Sequence, residues 1–299
     1  ADAVKLQTFV AREMISNTLM ADDPDRPGNE IPFYEFFQRY ELSRADYKVL
    51  MSHAASLNIP LFSTPFDEAS LDMLVEVGMP ALKIASPDLT YTPFLEKVAQ
   101  TGLPVVLSTG MANDEEIGEA LHALRKAHSV ILLHCVSNYP SRYEEMNLRC
   151  LAGLSRQFNF PVGLSDHTLD NLSAVVAASL GAVMIEKHFT LDRNLPGVDQ
   201  SISIEPEDLR QLKSDILNVT KILGAGKKEI QKSEVPVRQS ARRSLVARVD
   251  IPAGTPLQAD MLACKRPGTG ISPNELNRVL GKSAKVPLSA EQVITWEMF

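Results

Sequence analysis

The fold is decided by two stretches of sequence, Pro161-Val162-Gly163-Leu164-Ser165-Asp166-His167 and Ala182-Val183-Met184-Ile185-Glu186-Lys187-His188. Each is a short apolar run whose C-terminal end turns polar, which is typical of a strand buried in a parallel sheet. One helix-like segment separates them, so the two strands should be neighbours. Ligands bind at the C-terminal ends of such strands. We therefore expect His167 and His188 to meet there and to bind one divalent metal ion; a purely structural role is the alternative.

The strand–helix alternation continues outward from these two stretches over most of the chain. Further strands are predicted at 3–7, 59–63, 81–85, 104–107 and 130–135. Capping boxes at Ser43 and Asn113 and a proline at position 206 mark the beginnings of helices. Seven strand–helix units in series predict an α/β fold, namely a (β/α)8 TIM-type barrel whose first unit is missing and is expected to precede Ala1. A doubly wound open sheet is the alternative.

The sequence pattern changes after Gly226. Residues 227–241 are polar and lack a clear period, so we predict a linker there. Residues 242–299 carry short β-like runs that are separated by proline and glycine, which predicts a small β-rich domain. The predicted organisation is therefore a barrel domain over 1–226, a linker over 227–241 and a second domain over 242–299.

Composition excludes several classes of protein. The chain has 299 residues and a net charge of −7 without a basic run, which argues against nucleic acid or an anionic membrane as a partner. No apolar run is long enough to span a bilayer. Three cysteines without CxxC spacing favour neither a disulfide framework nor a thiolate zinc site, so a reducing cytoplasm fits best.

Polar side chains recur where the predicted strands end. Lys5 and Lys83 lie within apolar strands, where a lysine is costly unless it meets an anion or a carboxylate. Ser86, Ser108 and Ser165 add hydroxyl groups at the same level. Two cations and several hydroxyls suit a phosphate or carboxylate ligand. Ion pairs for the lysines and helix caps for the serines are the structural alternatives.

Two acidic residues accompany the second histidine. Glu186 precedes His188 by two positions and so points to the same side of its strand. It can serve as a sugar ligand, an acid–base group or a metal-site partner, or it can pair with Lys83 or Lys5. Asp199 lies in the loop after the last strand, where it can bind a polyol or cap a turn. Lys187 should point the other way and be structural.

Taken in order, these motifs resemble those of the sialic acid synthase family. The matching segments are 3–8, 62–67, 82–87, 107–111, 133–140, 163–169, 185–191 and 197–206. Residues 243–247 and 265–270 resemble the antifreeze-like (SAF) domain of the same enzymes. The resemblance implies a barrel, a linker and an antifreeze-like domain.

The resemblance also implies an activity and a set of site residues. Members condense phosphoenolpyruvate with an N-acylated amino sugar, typically N-acetylmannosamine, and require a divalent metal, most often Mn²⁺, with Mg²⁺ or Co²⁺ as alternatives. The implied metal ligands are His167 and His188. The implied phosphoenolpyruvate-binding residues are Lys5, Lys83, Thr64, Ser86, Ser108 and Ser165. Lys5, Lys83 and Glu186 are expected to be catalytic, and Glu186 matches a sugar-side position. The implied sugar-side residues are Gln7, Asn138, Tyr139, Asp199 and, from the partner of a domain-swapped homodimer, Arg266.

The sequence departs from the family pattern at three places. The first strand, which ends in a glutamate in the family, is absent, so we expect weak activity unless it is supplied. The family asparagine is either replaced by Ser137 or shifted to Asn138, and Gln200 stands where many members have histidine. The product therefore stays open among sialic, legionaminic, pseudaminic and spore-coat types. The alternative functions are another metal-dependent aldolase or phosphoenolpyruvate aldol synthase, and a non-enzymatic sugar- or ice-binding protein, which the strand-end lysines disfavour.

Overall fold

The computed structural model of the chain describes residues 1–22 and 28–299. They form two compact units, Ala1–Gly224 and Ala225–Phe299. The strands of the first unit are β1 (Val4–Thr8), β2 (Met20–Asp22), β3 (Glu30–Pro32), β4 (Leu61–Pro65), β5 (Leu82–Ile84), β6 (Val105–Ser108), β7 (Val130–Cys135), β8 (Val162–Asp166) and β9 (Ile185–Lys187). The second unit contains β10 (Ser244–Ala247) and β11 (Leu262–Lys265).

Seven of the described strands form one parallel sheet in the order β1-β4-β5-β6-β7-β8-β9. Each strand after β1 therefore pairs with the preceding strand of the sheet, as right-handed strand–helix units require. Lys5 on β1 approaches Glu186 on β9, with 3.9 Å between Nζ and Oε2. Because this contact joins the first strand to the last, the sheet curls around a shared interior. The predicted α/β class and barrel-type sheet are confirmed.

The helices follow the strands of the sheet. Those of the first unit are α1 (Ala11–Met14), α2 (Phe33–Gln38), α3 (Arg44–Ser56), α4 (Glu68–Glu76), α5 (Thr92–Gln100), α6 (Asp114–Ala123), α7 (Cys150–Phe158), α8 (Leu172–Ser179) and α9 (Pro206–Leu223). The second unit contains α10 (Glu234–Ala241) and α11 (Leu276–Val279). The predicted capping boxes are present, since Ser43 accepts from the amide of Asp46 and Asn113 from that of Glu116.

The main core lies between the outer face of the sheet and the helices. Leu82, Ile84, Leu107, Leu132 and Leu164 are fully buried there. Side chains alternate along a strand, so the residues between these apolar positions face the interior of the curl. The alternation thus separates an apolar outer face, which packs against the helices, from an inner face that is free to carry polar groups.

Residues 9–41 depart from the simple strand–helix order. Their described part adds α1, α2 and the antiparallel pair β2–β3 between β1 and α3. Phe9 and Tyr34 are buried in a small aromatic cluster with Phe37 and Phe66. These elements are too short to show a period, so the sequence pattern does not predict them.

The second unit has a core of its own. Leu245, Val279 and Ile294 are fully buried in it, and β10 pairs with β11 antiparallel. The segment 227–241, predicted as a linker, contains α10, and the carbonyl of Gln239 accepts a hydrogen bond from the amide of Gly268 at 2.7 Å. Among residues 1–22 and 28–299, no helix combines the length and apolar character needed to cross a membrane.

Candidate active site

The inner face of the curled sheet collects most of the residues singled out from the sequence. Gln7 is aligned with Thr64, and Ser165 with Glu186, in neighbouring strands, so the members of each pair point to the same side. His167 and His188 continue this alternation one residue past β8 and β9. The inward-facing set is Lys5, Gln7, Thr64, Lys83, Ser108, Cys135, Ser165, His167, Glu186 and His188.

Lys83 is the most deeply buried cation of this face. Its side chain is 3% exposed, and Nζ donates to the carbonyl of Ile84 at 2.9 Å and to Ser108 Oγ at 2.7 Å. Burial lowers the pKa of Lys83 from 10.5 to about 8, although the charge of Glu186 acts in the opposite direction. An ammonium group has three donors. The third donor is available to an anion in the interior of the curl.

Glu186 lies between the two lysines. Its Oε1 is 3.9 Å from Lys83 Nζ, and its Oε2 is 3.9 Å from Lys5 Nζ. Ser165 Oγ donates to Oε1 at 2.9 Å. Burial would raise the pKa of Glu186, but the charges of Lys83 and Lys5 and the Ser165 hydrogen bond outweigh it and hold the pKa below its ordinary value. Glu186 is therefore ionised and keeps both ammonium groups directed inward.

Hydroxyl groups complete an anion-binding surface beside these lysines. Thr64 is 1% exposed, and its Oγ1 has no hydrogen-bond partner among the residues that the structure describes. Buried polar atoms are rarely left unpaired, so an unpaired hydroxyl in a site marks a place for a ligand. Ser86 Oγ accepts from the amide of Gly110 at 3.0 Å and is also hydrogen-bonded to the Cys135 thiol, so it is held at this surface. The arrangement can hold a phosphate or a carboxylate.

The two histidines are held through the same ring nitrogen, Nδ1. His167 Nδ1 lies 2.9 Å from the carbonyl oxygen of Val136, and His188 Nδ1 lies 3.2 Å from Asp199 Oδ2. Both partners accept, so each Nδ1 carries the hydrogen, and each Nε2 keeps a lone pair for a metal ion. No described residue hydrogen-bonds to either Nε2. Histidine ligands of metals are usually held in this way, through the second nitrogen.

The spacing of the histidines suits a shared ion with open positions. The ring centroids are 5.5 Å apart. Within the described ranges there is no cluster of three or more His, Cys, Asp or Glu side chains that could hold a metal. Two imidazoles would leave the other coordination positions to water and substrate, as a Lewis-acid site requires. The donor set therefore fits a substrate-binding ion and not a closed structural site.

Tyr139 and Asp199 lie beside the histidines. The centroid of the Tyr139 ring is 4.1 Å from that of His167 and 5.9 Å from that of His188, which it meets edge-on. Tyr139 is 53% exposed. Partial burial raises the pKa of Tyr139 to about 12, so the phenol stays protonated. The hydrogen bond with His188 lowers the pKa of Asp199, which orients the imidazole as an ionised partner.

One predicted site residue of the first unit does not join this group. Asn138 is exposed, and its hydrogen bonds are made with Ser141, through the carbonyl, and with Glu145. Ser137 instead places Oγ 4.0 Å from Cys135 Sγ, on the inner face. Arg266 is exposed in the second unit.

Two further residues belong to the site by geometry and a third by its charge interaction with Lys83, although the sequence reasoning does not select them. Cys135 follows Leu133 on the inner face, so strand alternation alone is enough to find it. A Cβ on Gly110 would lie 2.2 Å from Ser137 Oγ and 2.8 Å from Ser86 Oγ, so this position must stay without a side chain. No sequence period marks such a close approach.

Asp88 is the third addition. It closes the short helical turn Ser86–Asp88 that follows β5, and its Oδ2 is buried without a partner among the described residues. Burial raises the pKa of Asp88 to about 6, although the charge of Lys83 acts against this. A carboxyl group with a raised pKa beside a cationic site can carry a proton near neutral pH.

Two residues of the same strands point away from the site, as the alternation predicts for Lys187. His134 Nε2 is 2.7 Å from the carbonyl oxygen of Met146, on the helix side. Lys187 Nζ is 2.9 Å from Asp166 Oδ2, also behind the sheet. Neither side chain reaches the inner face.

Comparison with known proteins places this site in context. Residues 1–228 match the NeuB family and residues 242–299 match the SAF domain. The chain is 42% identical to an uncharacterized protein of Methanocaldococcus jannaschii over 299 residues, covering 99% of this chain and 85% of that protein. It is 38% identical to the N,N'-diacetyllegionaminic acid synthase of Legionella pneumophila over 307 residues, covering 99% and 86%.

A solved structure with similar sequence shares the fold. The N-acetylneuraminic acid (sialic acid) synthetase of Leptospira borgpetersenii serovar Hardjo-bovis, in complex with citrate, superimposes with a TM-score of 0.70 at 36% identity. The match covers 79% of each chain.

Proposed function

The chain belongs to the NeuB family and carries a SAF domain, and from that premise we propose that it is a nonulosonic acid synthase. It condenses phosphoenolpyruvate with an N-acylated amino sugar, N-acetylmannosamine or a related one, to give a sialic-acid-type product and phosphate. The observation that carries the proposal is the pair of inward-facing lysines on either side of Glu186, next to two histidines with free Nε2 atoms.

In the proposed complex, the lysine end of the site binds phosphoenolpyruvate. Glu186 carries one negative charge against two ammonium groups, so Lys5 and Lys83 keep positive charge with which to bind the phosphate and the carboxylate. Thr64, with its unpaired hydroxyl, donates to the same ligand. Ser86, Ser108 and Ser165 supply further hydroxyls along the inner face. Fixed donors in a buried site stabilise charge throughout a reaction without reorganisation.

The histidine end holds the divalent metal, for which we propose Mn²⁺. His167 and His188 would bind it through Nε2, with Asp199 and the Val136 carbonyl holding the rings in place. When bound, such an ion acts as a Lewis acid toward the aldehyde oxygen of an open-chain sugar. Tyr139 and Gln7, which are exposed at the same end of the strands, are proposed to contact the sugar.

The proposed reaction joins the two substrates between these ends. The methylene carbon of phosphoenolpyruvate attacks the sugar aldehyde carbon, which forms the new carbon–carbon bond and leaves an oxocarbenium ion at the enol carbon. Water adds to that carbon and loses a proton. The sugar alkoxide takes up a proton, and the tetrahedral intermediate releases phosphate by cleavage of its carbon–oxygen bond while its new hydroxyl loses a proton and becomes the ketone carbonyl. Lys5 and Lys83 remain paired with the leaving phosphate and the carboxylate.

The proton of the attacking water needs an acceptor, and the structure favours Asp88 over Glu186. Glu186 has a lowered pKa and is occupied by two lysines and Ser165, which makes it a weak base. Asp88 has a pKa of about 6 and an unpaired oxygen among the described residues. We therefore assign the proton to Asp88 and give Glu186 the task of orienting the lysines.

A role for the second unit completes the proposal. By family resemblance, Arg266 of one subunit completes the sugar side of its partner's site in a domain-swapped homodimer. Arg266 is exposed and therefore available to such a contact.

Phosphate release from phosphoenolpyruvate tests the proposed function. It should require both Mn²⁺ and an N-acylated amino sugar, and a panel of N-acylated hexosamines and their 2,4-diacylated analogues would identify the substrate. Release with unacylated aldoses but not with these sugars would favour another phosphoenolpyruvate aldol synthase. Sugar binding without any phosphate release would favour a non-enzymatic sugar-binding protein.

A further inference from the structure

A buried ion pair lies directly behind the two histidines. Asp166 precedes His167 and Lys187 precedes His188, and the two charged residues are aligned on β8 and β9. Their side chains leave the sheet on the side opposite to the imidazoles. Lys187 Nζ is 2.9 Å from Asp166 Oδ2, and the two side chains are 4% and 0% exposed.

Every polar atom of this pair is in use. Lys187 Nζ also donates to the carbonyls of Thr168 at 2.8 Å and Asp170 at 2.7 Å, which engages all three of its donors. Asp166 Oδ1 accepts from the amide of Thr168 at 2.9 Å and from its Oγ1 at 2.8 Å. The turn that begins at His167 thus surrounds the ammonium group of Lys187, which lies on β9 directly before His188.

Stability alone is a weak explanation for such a pair. Removing two charges from water costs about as much as their attraction returns, and apolar residues of similar volume often serve as well. The strand pairing of β8 with β9 already holds the two backbones together. The ion pair also fixes the backbone conformation of the turn after β8, and this turn carries His167.

We propose that the Asp166–Lys187 pair positions His167 and His188 relative to each other and thereby sets the affinity for the divalent ion. Neither residue touches the ion, so both are positioning residues. The inference rests on the metal site of the proposed function. Partners outside the ligand shell typically change metal affinity by about 10- to 100-fold when they are removed.

Two variants test the proposal in the chain of 299 residues. Lys187→Met removes the charge but keeps most of the apolar stem. The double variant Asp166→Leu with Lys187→Met also removes the unpaired carboxylate, so it should regain the melting temperature that the single variant loses. Calorimetry should show about tenfold weaker Mn²⁺ binding in both variants. Lys187→Arg, which keeps the charge, should recover part of the affinity.

Controls separate positioning from general damage. Phosphoenolpyruvate affinity, measured without metal, should stay within about twofold, because Lys5 and Lys83 lie on other strands. Lys97→Met, which removes exposed ion pairs with Glu68 and Asp72 in the same unit, should leave Mn²⁺ affinity unchanged.

The outcomes are distinguishable. A folded double variant that binds Mn²⁺ as tightly as the wild type would overturn the positioning role while leaving the metal site intact. A wild-type protein that binds phosphoenolpyruvate but no Mn²⁺ would overturn the proposed metal site, and the positioning role with it.

Discussion

At the scale of single residues, Lys83 makes the most specific prediction. Lys83→Met removes a nearly buried charge and keeps most of its stem. A hydrogen bond to a charged group contributes about 2 kcal/mol, so phosphoenolpyruvate binding should weaken roughly 30-fold. Calorimetry with phosphoenolpyruvate and kinetics with the sugar measure the two affinities separately. If only the constant for the sugar changed, the anion assignment would be wrong. Lys5→Met, at a more exposed side chain, is expected to cost less.

The pH dependence of phosphoenolpyruvate binding is a second prediction for Lys83. Because burial lowers its pKa to about 8, the ammonium group is lost as the pH rises through that value, and affinity should fall with it. The unfolded chain keeps this proton up to a pKa near 10.5, so between these values it binds more protons than the folded state. Between about pH 8 and pH 10.5, the contribution of Lys83 to the free energy of unfolding therefore increases as the pH rises. A thermal melt would separate lost binding from unfolding, and constant affinity up to about pH 10 would contradict the assignment.

Asp88 yields a prediction about turnover and not about binding. Asp88→Asn keeps the shape of the side chain but cannot carry the proton, so turnover should fall by about 100-fold or more, with phosphoenolpyruvate affinity nearly unchanged. The wild-type pH–rate profile should have an acid limb near the pKa of about 6. Full turnover of the folded variant would remove Asp88 from the mechanism.

The site residues that strand alternation predicts are those on regular strands. A period of two is enough to place Lys5, Lys83 and Glu186 on one face, because parallel strands align their ends. Asp88 and Gly110 lie in turns, where the direction of a side chain depends on local backbone geometry that no period reports. For the same reason, the sequence cannot decide between Ser137 and Asn138.

At the scale of elements, the contact between β8 and β9 is tightly constrained. A Cβ on Gly163 would lie 2.4 Å from the backbone oxygen of Met184 and 2.8 Å from a side-chain carbon of Leu133. Gly163→Ala should therefore push the strands apart and lower the free energy of unfolding by about 1–3 kcal/mol. Because these strands carry the two histidines, Mn²⁺ affinity should fall as well.

A second glycine provides the matched control. Gly153 lies within α7, and a Cβ added there would meet no atom of the described residues within 4 Å beyond the backbone of its own helix. Gly153→Ala should therefore stabilise the protein by about 0.5–1 kcal/mol. Chemical denaturation of both variants measures the two changes. Equal effects in the same direction would contradict this account of β8–β9 packing.

Long periodic elements are predictable from the sequence, and short ones are not. The strands of the parallel sheet and the helices with capping boxes carry strong local signals. The pair β2–β3 is joined by its antiparallel ladder, and α1 and α2 pack in the small cluster with Phe9 and Phe66, which is distant from them in sequence. Helix α10 begins without a side-chain cap in a polar segment, so the sequence pattern there indicates a linker and gives no sign of a helix.

At the scale of the whole molecule, the proposed exchange of domains predicts complementation between subunits. An Arg266→Ala subunit lacks the arginine but keeps both proposed metal ligands. A His188→Ala subunit keeps the arginine but lacks one of these ligands. Heterodimers of the two should regain activity, because one of their two composite sites is intact. Activity of mixed dimers, isolated with two affinity tags, measures this. Inactive heterodimers would favour a site built within one chain.

The central claim is that this chain forms a carbon–carbon bond between phosphoenolpyruvate and an N-acylated amino sugar. Mass spectrometry of the product made from phosphoenolpyruvate labelled with a heavy carbon isotope at all three positions tests it most directly. We predict one product that contains all three labelled carbons joined to the intact sugar and no phosphate from phosphoenolpyruvate, formed together with inorganic phosphate. Labelled pyruvate with unchanged sugar, or a product that keeps this phosphate, would contradict the claim.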